Sequence, residues 1–425
     1  MAIIALMKEP FTWDDYSDQP ALLKDRSYKK AMRKKEVFSI FKTFLISLVI
    51  LPISLMAMPF VKRKEIKQSE FVTLGVDFER ESSATLEMLD DLAVESILLR
   101  LKLWELEKLE DLKTFIQKNS HRKITLKILQ DRENIEDLAL LEKNLSLVFT
   151  VLEGLVDIYE IGSTLNRTKW GFFSVNEYSA FYKVAYELKQ NKFPNIQLIG
   201  SGVIDFEYHF TAHTLFNCFK YKYDGVSSLL YVDRRGAPEN TQLGFTLSDK
   251  IAWLSTMIWL SPKAQKRLYI TETNWPLKNT APYAPTSEKE CINEEEYANF
   301  MLRYYLLAFA SQQVDFVAWH QLIAPGYGLI DNRDGIHKRV AYQTFKYMNK
   351  TLKKAQFLRL DIKRGYYILQ CLVEDKLLQI HWSLIDTELH NQDFFDVYDR
   401  DGKPITTDIL AITDKPTYIY IKDAV

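Results

Sequence analysis

The sequence predicts an α/β fold: a (β/α)8 TIM barrel with an N-terminal transmembrane helix and a small C-terminal antiparallel β domain. Three observations predict it. Eight short β-branched runs alternate with amphipathic stretches over residues 71–354, an uncharged apolar run lies near the N-terminus, and the pattern after residue 355 is β only. The 425 residues are 47% apolar and 13% aromatic, enough for a large core, which excludes disorder as the main state. With 55 basic against 56 acidic residues there is no net basic field to hold the phosphates of a nucleic acid. Cys218, Cys291 and Cys371 stand far apart without zinc-ligand spacing, and leave room for one disulfide.

Charge divides the chain. Residues 1–69 hold 13 Lys+Arg and 7 Asp+Glu, a net of +6, and the remainder is net −7. Within the first part, Thr43–Phe60 is eighteen uncharged, mostly apolar residues, and the run covers 37–60 if Lys42 snorkels. That length spans a bilayer. Lys24, Arg26, Lys29, Lys30, Arg33, Lys34 and Lys35 precede it, against the shorter cluster Lys62, Arg63, Lys64 and Lys67 after it. Positive-inside counting therefore makes residues 1–36 a cytoplasmic tail, 37–60 a single-pass anchor, and 61–70 a linker to an exported body. A signal peptide starting at Met32 is the rival reading, but no A-x-A cleavage site follows. A buried core helix is a third, and the run lacks the polar alternation that core helices carry. The stretch Phe11-Thr12-Trp13-Asp14-Asp15-Tyr16 in the tail is suited to docking a partner.

The expected barrel strands are Val72–Phe78, Ser96–Leu103, Lys123–Leu129, Val156–Ile161, Ile196–Ile204, Gly225–Val232, Leu268–Thr273 and Val314–Trp319. Apolar spacing of three and four predicts helices at Leu106–Lys118, Ile135–Leu155, Val175–Gln190, Ser248–Trp259, Glu294–Ser311 and Val340–Lys353. A doubly wound sheet is the alternative arrangement, but no glycine-rich phosphate loop follows the first strand. Turn signals at Lys363-Arg364-Gly365, Glu374-Asp375 and Arg400-Asp401-Gly402 divide residues 355–425 into the strands of a β-sandwich-like domain.

In such a barrel the site lies where the strands end, so the polar groups closing each apolar run are the candidates. They are Asp77 after strand one, Arg100 and Trp104 on strand two, and Glu160, Asn166, Arg167 and Trp170 around strand four. Asp205 and Glu207 follow strand five, Tyr231 and Asp233 strand six, Asn274 and Trp275 with Glu272 strand seven, and Trp319, His320 and Tyr327 strand eight. Carboxylates among Trp and Tyr suit a sugar-cleaving site, because sugar faces stack on rings while two carboxyl groups flank the bond. Each has a plain structural reading too: Glu272 as an ion pair with Arg100, Asp205 and Glu207 as a solvated or salt-bridged pair, and the tryptophans as core. Asp233, Arg234 and Arg235 make either a salt-bridged loop or a site for an acidic sugar. His209 and His213 have helical metal spacing without a third ligand, so no metal site is assigned.

The segment Ile270–Trp275 (ITETNW) resembles the nucleophile strand of the clan A retaining glycoside hydrolases, in which a Glu closes strand seven. Ala318–Asp331 on strand eight fits the same clan, and so do Arg100 and Tyr231, whose counterparts there orient the nucleophile. The overall plan is similar to the anchored family-39-like glycosidases of bacterial exopolysaccharide systems. The resemblance implies a membrane-anchored glycosidase acting on an envelope or extracellular polysaccharide or oligosaccharide, without cofactor, beside envelope biosynthesis partners. It implies Glu272 as nucleophile of a double displacement. One position departs from the clan, whose strand four ends in E-I-x-N-E-P with the second Glu as acid/base. Here the stretch is Glu160-Ile161-Gly162-Ser163-Thr164-Leu165-Asn166, and Thr164, which has no proton to donate near neutral pH, stands at the acid's place. Glu160 and Glu207 are the two substitutes. By strand counting Glu160 lies level with Glu272, whereas the clan pattern puts it a full four residues deeper. The alternative function is a catalytically inactive glycan-binding barrel in a polysaccharide assembly system.

Overall fold

The computed structural model describes residues 8–61, 66–233, 236–385, 387–390 and 395–421. Lys62, Arg63 and Lys64 of the basic cluster, and Arg234 and Arg235, lie outside the described residues.

Eight parallel strands close into a barrel: β1 Val72–Val76, β2 Ser96–Lys102, β3 Lys123–Leu129, β4 Ile158–Ile161, β5 Gln197–Ile204, β6 Gly225–Leu229, β7 Leu268–Thr273 and β8 Phe316–Trp319. Neighbours follow chain order, and β8 returns to β1 with Val317 opposite Val72. Side chains alternate along each strand, so the interior fills in layers. The lower layer is apolar, formed by Leu98, Ile158, Ile199, Tyr269, Phe316 and Ala318. Two residues further along, the next layer is polar: Arg100 pairs in register with Lys127, and Lys127 with Glu160. This charged layer is the floor of the cavity described below.

Helices surround the strands and start where side chains satisfy their free N–H groups. Thr246 and Asp249 form a reciprocal capping box on Leu247–Leu260, as do Asn293 and Glu296 on Glu294–Ser311. The second of these helices is buried nearly all round, because it lies between the barrel and the C-terminal sheet. That sheet is antiparallel, in the spatial order Ala355–Lys363, Tyr366–Val373, Lys376–Ser383, Thr417–Ile421, Phe395–Tyr398, with Thr387–His390 and Ile409–Ile412 as a separate pair. Trp382 Nε1 donates to Glu239 at 2.9 Å and so ties the sheet to the barrel. No disulfide joins the three cysteines; Cys218 is exposed and the other two are buried.

The N-terminal region packs on the barrel. Val37–Phe60 is helical and apolar, 24 residues with a mean hydropathy of 2.2 over its most apolar 18, long enough to cross a membrane. Yet it lies along the flank of the barrel, packed on Tyr208–Leu215 and Leu247–Leu260. Residues before it do not form a separate tail. Trp13–Asp14 and Gln19–Pro20 pair as a tight hairpin on the C-terminal face of the barrel, and Asp18 bonds Arg100 of β2. The residues on either side of the helix thus touch each other through Asp18 and Arg100.

Candidate active site

The strand ends surround an open cavity of about 480 Å³. Glu272 stands at its floor with 15% of the side chain exposed. Strict alternation would turn Glu272 away, because Tyr269 and Thr271 face the interior. A β-bulge changes this: Ile270 lies opposite Val317 but Thr273 opposite Trp319, so three steps on β7 match two on β8. The extra residue re-aims the strand end and brings Glu272 inward beside Thr271.

Glu272 is held on both oxygens. Tyr231 donates its hydroxyl to Oε1 at 2.8 Å, and the Lys127 ammonium lies 3.4 Å from Oε2. Burial pushes the carboxyl up, but His320, Lys127, Arg100 and the Tyr231 hydroxyl more than offset this and hold it at about 2. Burial sets His320 itself at about 4. Its imidazole is thus neutral at neutral pH, and Lys127 and Arg100 supply the charge that keeps Glu272 ionised. Asn274 donates Nδ2 to the His320 carbonyl at 2.5 Å, joining the ends of β7 and β8, while His320 stacks on Tyr327 at 5.3 Å between centroids.

Glu160, on β4, lies in the same layer as Lys127, its partner in register on β3. It is fully buried, accepts from Thr271 Oγ1 at 2.9 Å, and meets the other side of Lys127 at 3.3 Å. Burial raises its pKa, an effect Lys127 only partly offsets. Strand counting puts Glu160 level with Glu272; both carboxylates meet Lys127, but Glu160 does not line the cavity.

Thr164 does line it, at φ +53. Its N–H donates to the Gly202 carbonyl at 2.7 Å. Gly202 has φ +63, and a Cβ there would meet the Gly162 carbonyl at 3.1 Å, so glycine lets the ends of β4 and β5 approach. Beside these strand ends Glu207 accepts from Asn166 Nδ2 at 2.9 Å and from Arg167 Nη1 at 2.6 Å, and Arg167 bonds Asp205 with its other nitrogen at 2.6 Å.

Of the expected residues, Arg100, Arg167, Trp170, Asp205, Glu207, Tyr231, Asp233, Glu272, Asn274, His320 and Tyr327 share this cavity. Trp275 and Trp319 do not reach it. They stack on each other at 5.8 Å, and Trp319 donates to the Tyr297 hydroxyl at 2.8 Å, because position 319 points outward to the helix layer when Ala318 points in. Asp77 lines a side cleft, paired with Arg80 at 2.9 Å. Asn166 acts behind Glu207, and Trp104 lies under Trp13 with 5.4 Å between centroids.

What the sequence reading missed is the N-terminal hairpin. Ser17, Asp18 and Gln19 form one wall of the cavity. Asp18 bonds Arg100, with Arg80 at 3.9 Å and Gln321 Nε2 at 3.5 Å. Burial opposes its ionisation, but Arg100 and Arg80 prevail and lower its pKa. Trp13 packs edge-on to Trp170 at 5.9 Å, and Lys169 donates to Gln19 at 2.6 Å. The aromatic-acidic stretch that suggested a docking segment was the available signal; the partner is the chain's own barrel.

No family model and no curated protein sequence matches the chain. Solved structures do. A family 39 glycoside hydrolase from the gut symbiont Bacteroides cellulosilyticus WH2 is similar over 85% of this chain and 83% of its own, with a TM-score of 0.65 at 15% identity. The chain has the fold of that enzyme class. A family 39 β-xylosidase from Caulobacter crescentus matches over 85% and 98% of the two chains at TM-score 0.56 and 12% identity. A family 30 subfamily 8 xylanase from Clostridium acetobutylicum matches over 86% and 98%, at 0.57 and 7%. In this glycoside hydrolase fold the open end of the barrel, where Glu272 stands, is the place where such sites form.

Proposed function

We propose that the protein is a membrane-attached glycoside hydrolase acting on an envelope or extracellular polysaccharide by a retaining mechanism, with Glu272 as nucleophile. The observation that carries this reading is the setting of Glu272: a carboxylate at the cavity floor, fixed by Tyr231 and kept ionised by Lys127 and Arg100. An ionised, immobilised carboxylate attacks an anomeric carbon without first losing a proton or turning. The bond to the leaving oxygen breaks as that oxygen takes a proton from a second carboxylic acid. Water, deprotonated by the same group, then releases the sugar from Glu272. Glu207 is the second group in this account, since it lines the cavity and Glu160 does not. To serve, it exchanges its Arg167 hydrogen bond for the leaving oxygen. Trp170 and Tyr327 offer ring surface to the sugar, while Arg100, Arg167, Asp205, Asp233, Asn274 and His320 offer polar contacts. The setting this reading gives the protein is a bacterial inner membrane with the barrel in the periplasm, beside envelope biosynthesis partners; the apolar helix supports the membrane attachment.

One observation favours a second reading, binding without cleavage: Thr164 stands at the acid position, and Arg167 and Asn166 occupy both oxygens of Glu207. Release of reducing ends from a panel of polysaccharides and aryl glycosides separates the two. The glycosidase reading expects release that Glu272→Gln abolishes. Polysaccharide binding that survives Glu272→Gln, with no release by the unaltered protein, replaces it with the second.

A further inference from the structure

The helix Val37–Phe60 has an inverted distribution of side chains. Its uncharged polar residues, Ser39, Thr43, Ser47 and Ser54, fall on one stripe, and that stripe faces the protein. Thr43 Oγ1 lies 2.7 Å from His213 Nδ1, Ser54 Oγ accepts from Trp253 Nε1 at 2.7 Å, and Ser39 Oγ accepts from the Asn176 N–H at 3.2 Å. Just before the helix, Ser174 donates to Glu36 at 2.6 Å. The opposite stripe is exposed and, apart from Lys42 in its first turns, apolar: Phe38 and Met56 are 78% and 77% exposed, and Phe41, Phe44, Leu48 and Val49 more than half. A helix that merely packed on a soluble barrel would turn these the other way. Hydrogen bonds on the polar side fix which face looks out.

Two further features lie beside this face. Residues 26–60 carry seven Lys+Arg and a single acid, Glu36, and Arg26, Lys30, Arg33, Lys34, Lys35 and Lys42 are exposed. Trp259, 48% exposed, sits at the end of Leu247–Leu260, the helix that also touches Met58–Phe60. An apolar stripe flanked by cations and an exposed tryptophan matches the boundary layer of a bilayer, where chains, headgroups and negative surface charge meet. The helix begins near the open end of the barrel, at Ser174 and Asn176, and leads into β1 at the other end.

We infer that Val37–Phe60 lies in the plane of a membrane rather than across it, its outer stripe sunk among anionic lipids and the barrel resting on the same side with its axis along the surface. N-terminal hairpin, helix and barrel then form one body, and the cavity opens beside the lipid headgroups. The inference rests on the membrane attachment in the proposed function and is independent of cleavage.

Two experiments on the full chain separate attachment from geometry. Flotation with phosphatidylglycerol and with phosphatidylcholine vesicles tests attachment. The anionic vesicles should bind more tightly, and Phe38→Ser/Phe44→Ser/Leu48→Ser should weaken binding on the order of a hundredfold. Unchanged circular dichroism shows that the variant folds, and equal binding by it, or a stable dimer that ignores vesicles, overturns the attachment. For geometry, Cys218→Ser carrying either Asp15→Cys or Lys118→Cys, both exposed positions, is inserted into sealed vesicles and treated with an impermeant maleimide. Labelling or protection of the two sites together is the expected result. One site labelled and the other protected means that the helix crosses the bilayer, and the in-plane placement is wrong.

Discussion

Lys127 stands between two carboxylates, with its ammonium 3.3 Å from Glu160 and 3.4 Å from Glu272. The strand register creates this bridge, because Lys127 is the direct neighbour of Glu160 on β4 and the β7 bulge lowers Glu272 onto the same layer. One cation therefore serves as a structural counter-ion below and an electrostatic support for the cavity floor above. Lys127→Met leaves Glu160 buried without a partner charge. Breaking a buried pair in this way costs about 3–5 kcal/mol. Denaturant unfolding is the check, and Lys127→Met/Glu160→Gln should recover most of the loss, since the neutral amide keeps the bond to Thr271.

The state of Glu272 sets a pH prediction. With its carboxyl held at about 2, the nucleophile stays ionised down to that region, so the acidic limb of any kcat/KM profile above pH 3 belongs to another group. Replacing Tyr231 with Phe removes one of the groups that lowers Glu272. Activity should fall about tenfold or more, with a larger effect on kcat than on KM.

Asp18 couples the N-terminal hairpin to the barrel. Its folded pKa is lowered, so its contribution to stability is full above the ordinary carboxylate value and is lost as pH falls through the folded value. Glu160 has the opposite sign: its pKa is raised, so its contribution is full below the ordinary value and lost as pH rises through the folded one. Asp18→Asn should therefore destabilise the protein at pH 7 and flatten its loss of stability as pH falls below the ordinary carboxylate range. It should also expose residues 11–20 to limited proteolysis, because Arg100 and Arg80 lose their carboxylate.

Much of the architecture was legible in the sequence because it rests on local pattern. Alternating β-branched runs and amphipathic stretches gave eight strands, and a Glu closing the seventh marked Glu272. The tryptophans show where pattern was available but overridden: position 319 has the parity of Val317, which faces the helices, not of Ala318, which faces the interior. Glu272 reaches the cavity only through a bulge, which depends on how β7 pairs with β8 and leaves no mark in ITETNW itself. The hairpin at Asp18 was hidden for a different reason. It contacts Arg100 across 82 positions of chain, and an apolar helix between the two reads as a barrier when hydropathy alone is considered.

The two candidate acids are separated by rescue chemistry. Glu207→Ala should slow cleavage of unactivated glycosides about a hundredfold or more while sparing aryl glycosides with good leaving groups, and azide should restore turnover. Glu160→Ala should instead lower stability without azide rescue, since Glu160 does not face the cavity.

The most direct test of Glu272 as nucleophile is peptide mass mapping after incubation with 2-deoxy-2-fluoro glycosyl fluorides of the sugars the protein cleaves. Retaining hydrolysis predicts a glycosyl adduct on the peptide that carries Glu272 and none on the Glu207 peptide. An unmodified Glu272 in a protein that turns over its substrate, or an adduct on another residue, contradicts the account.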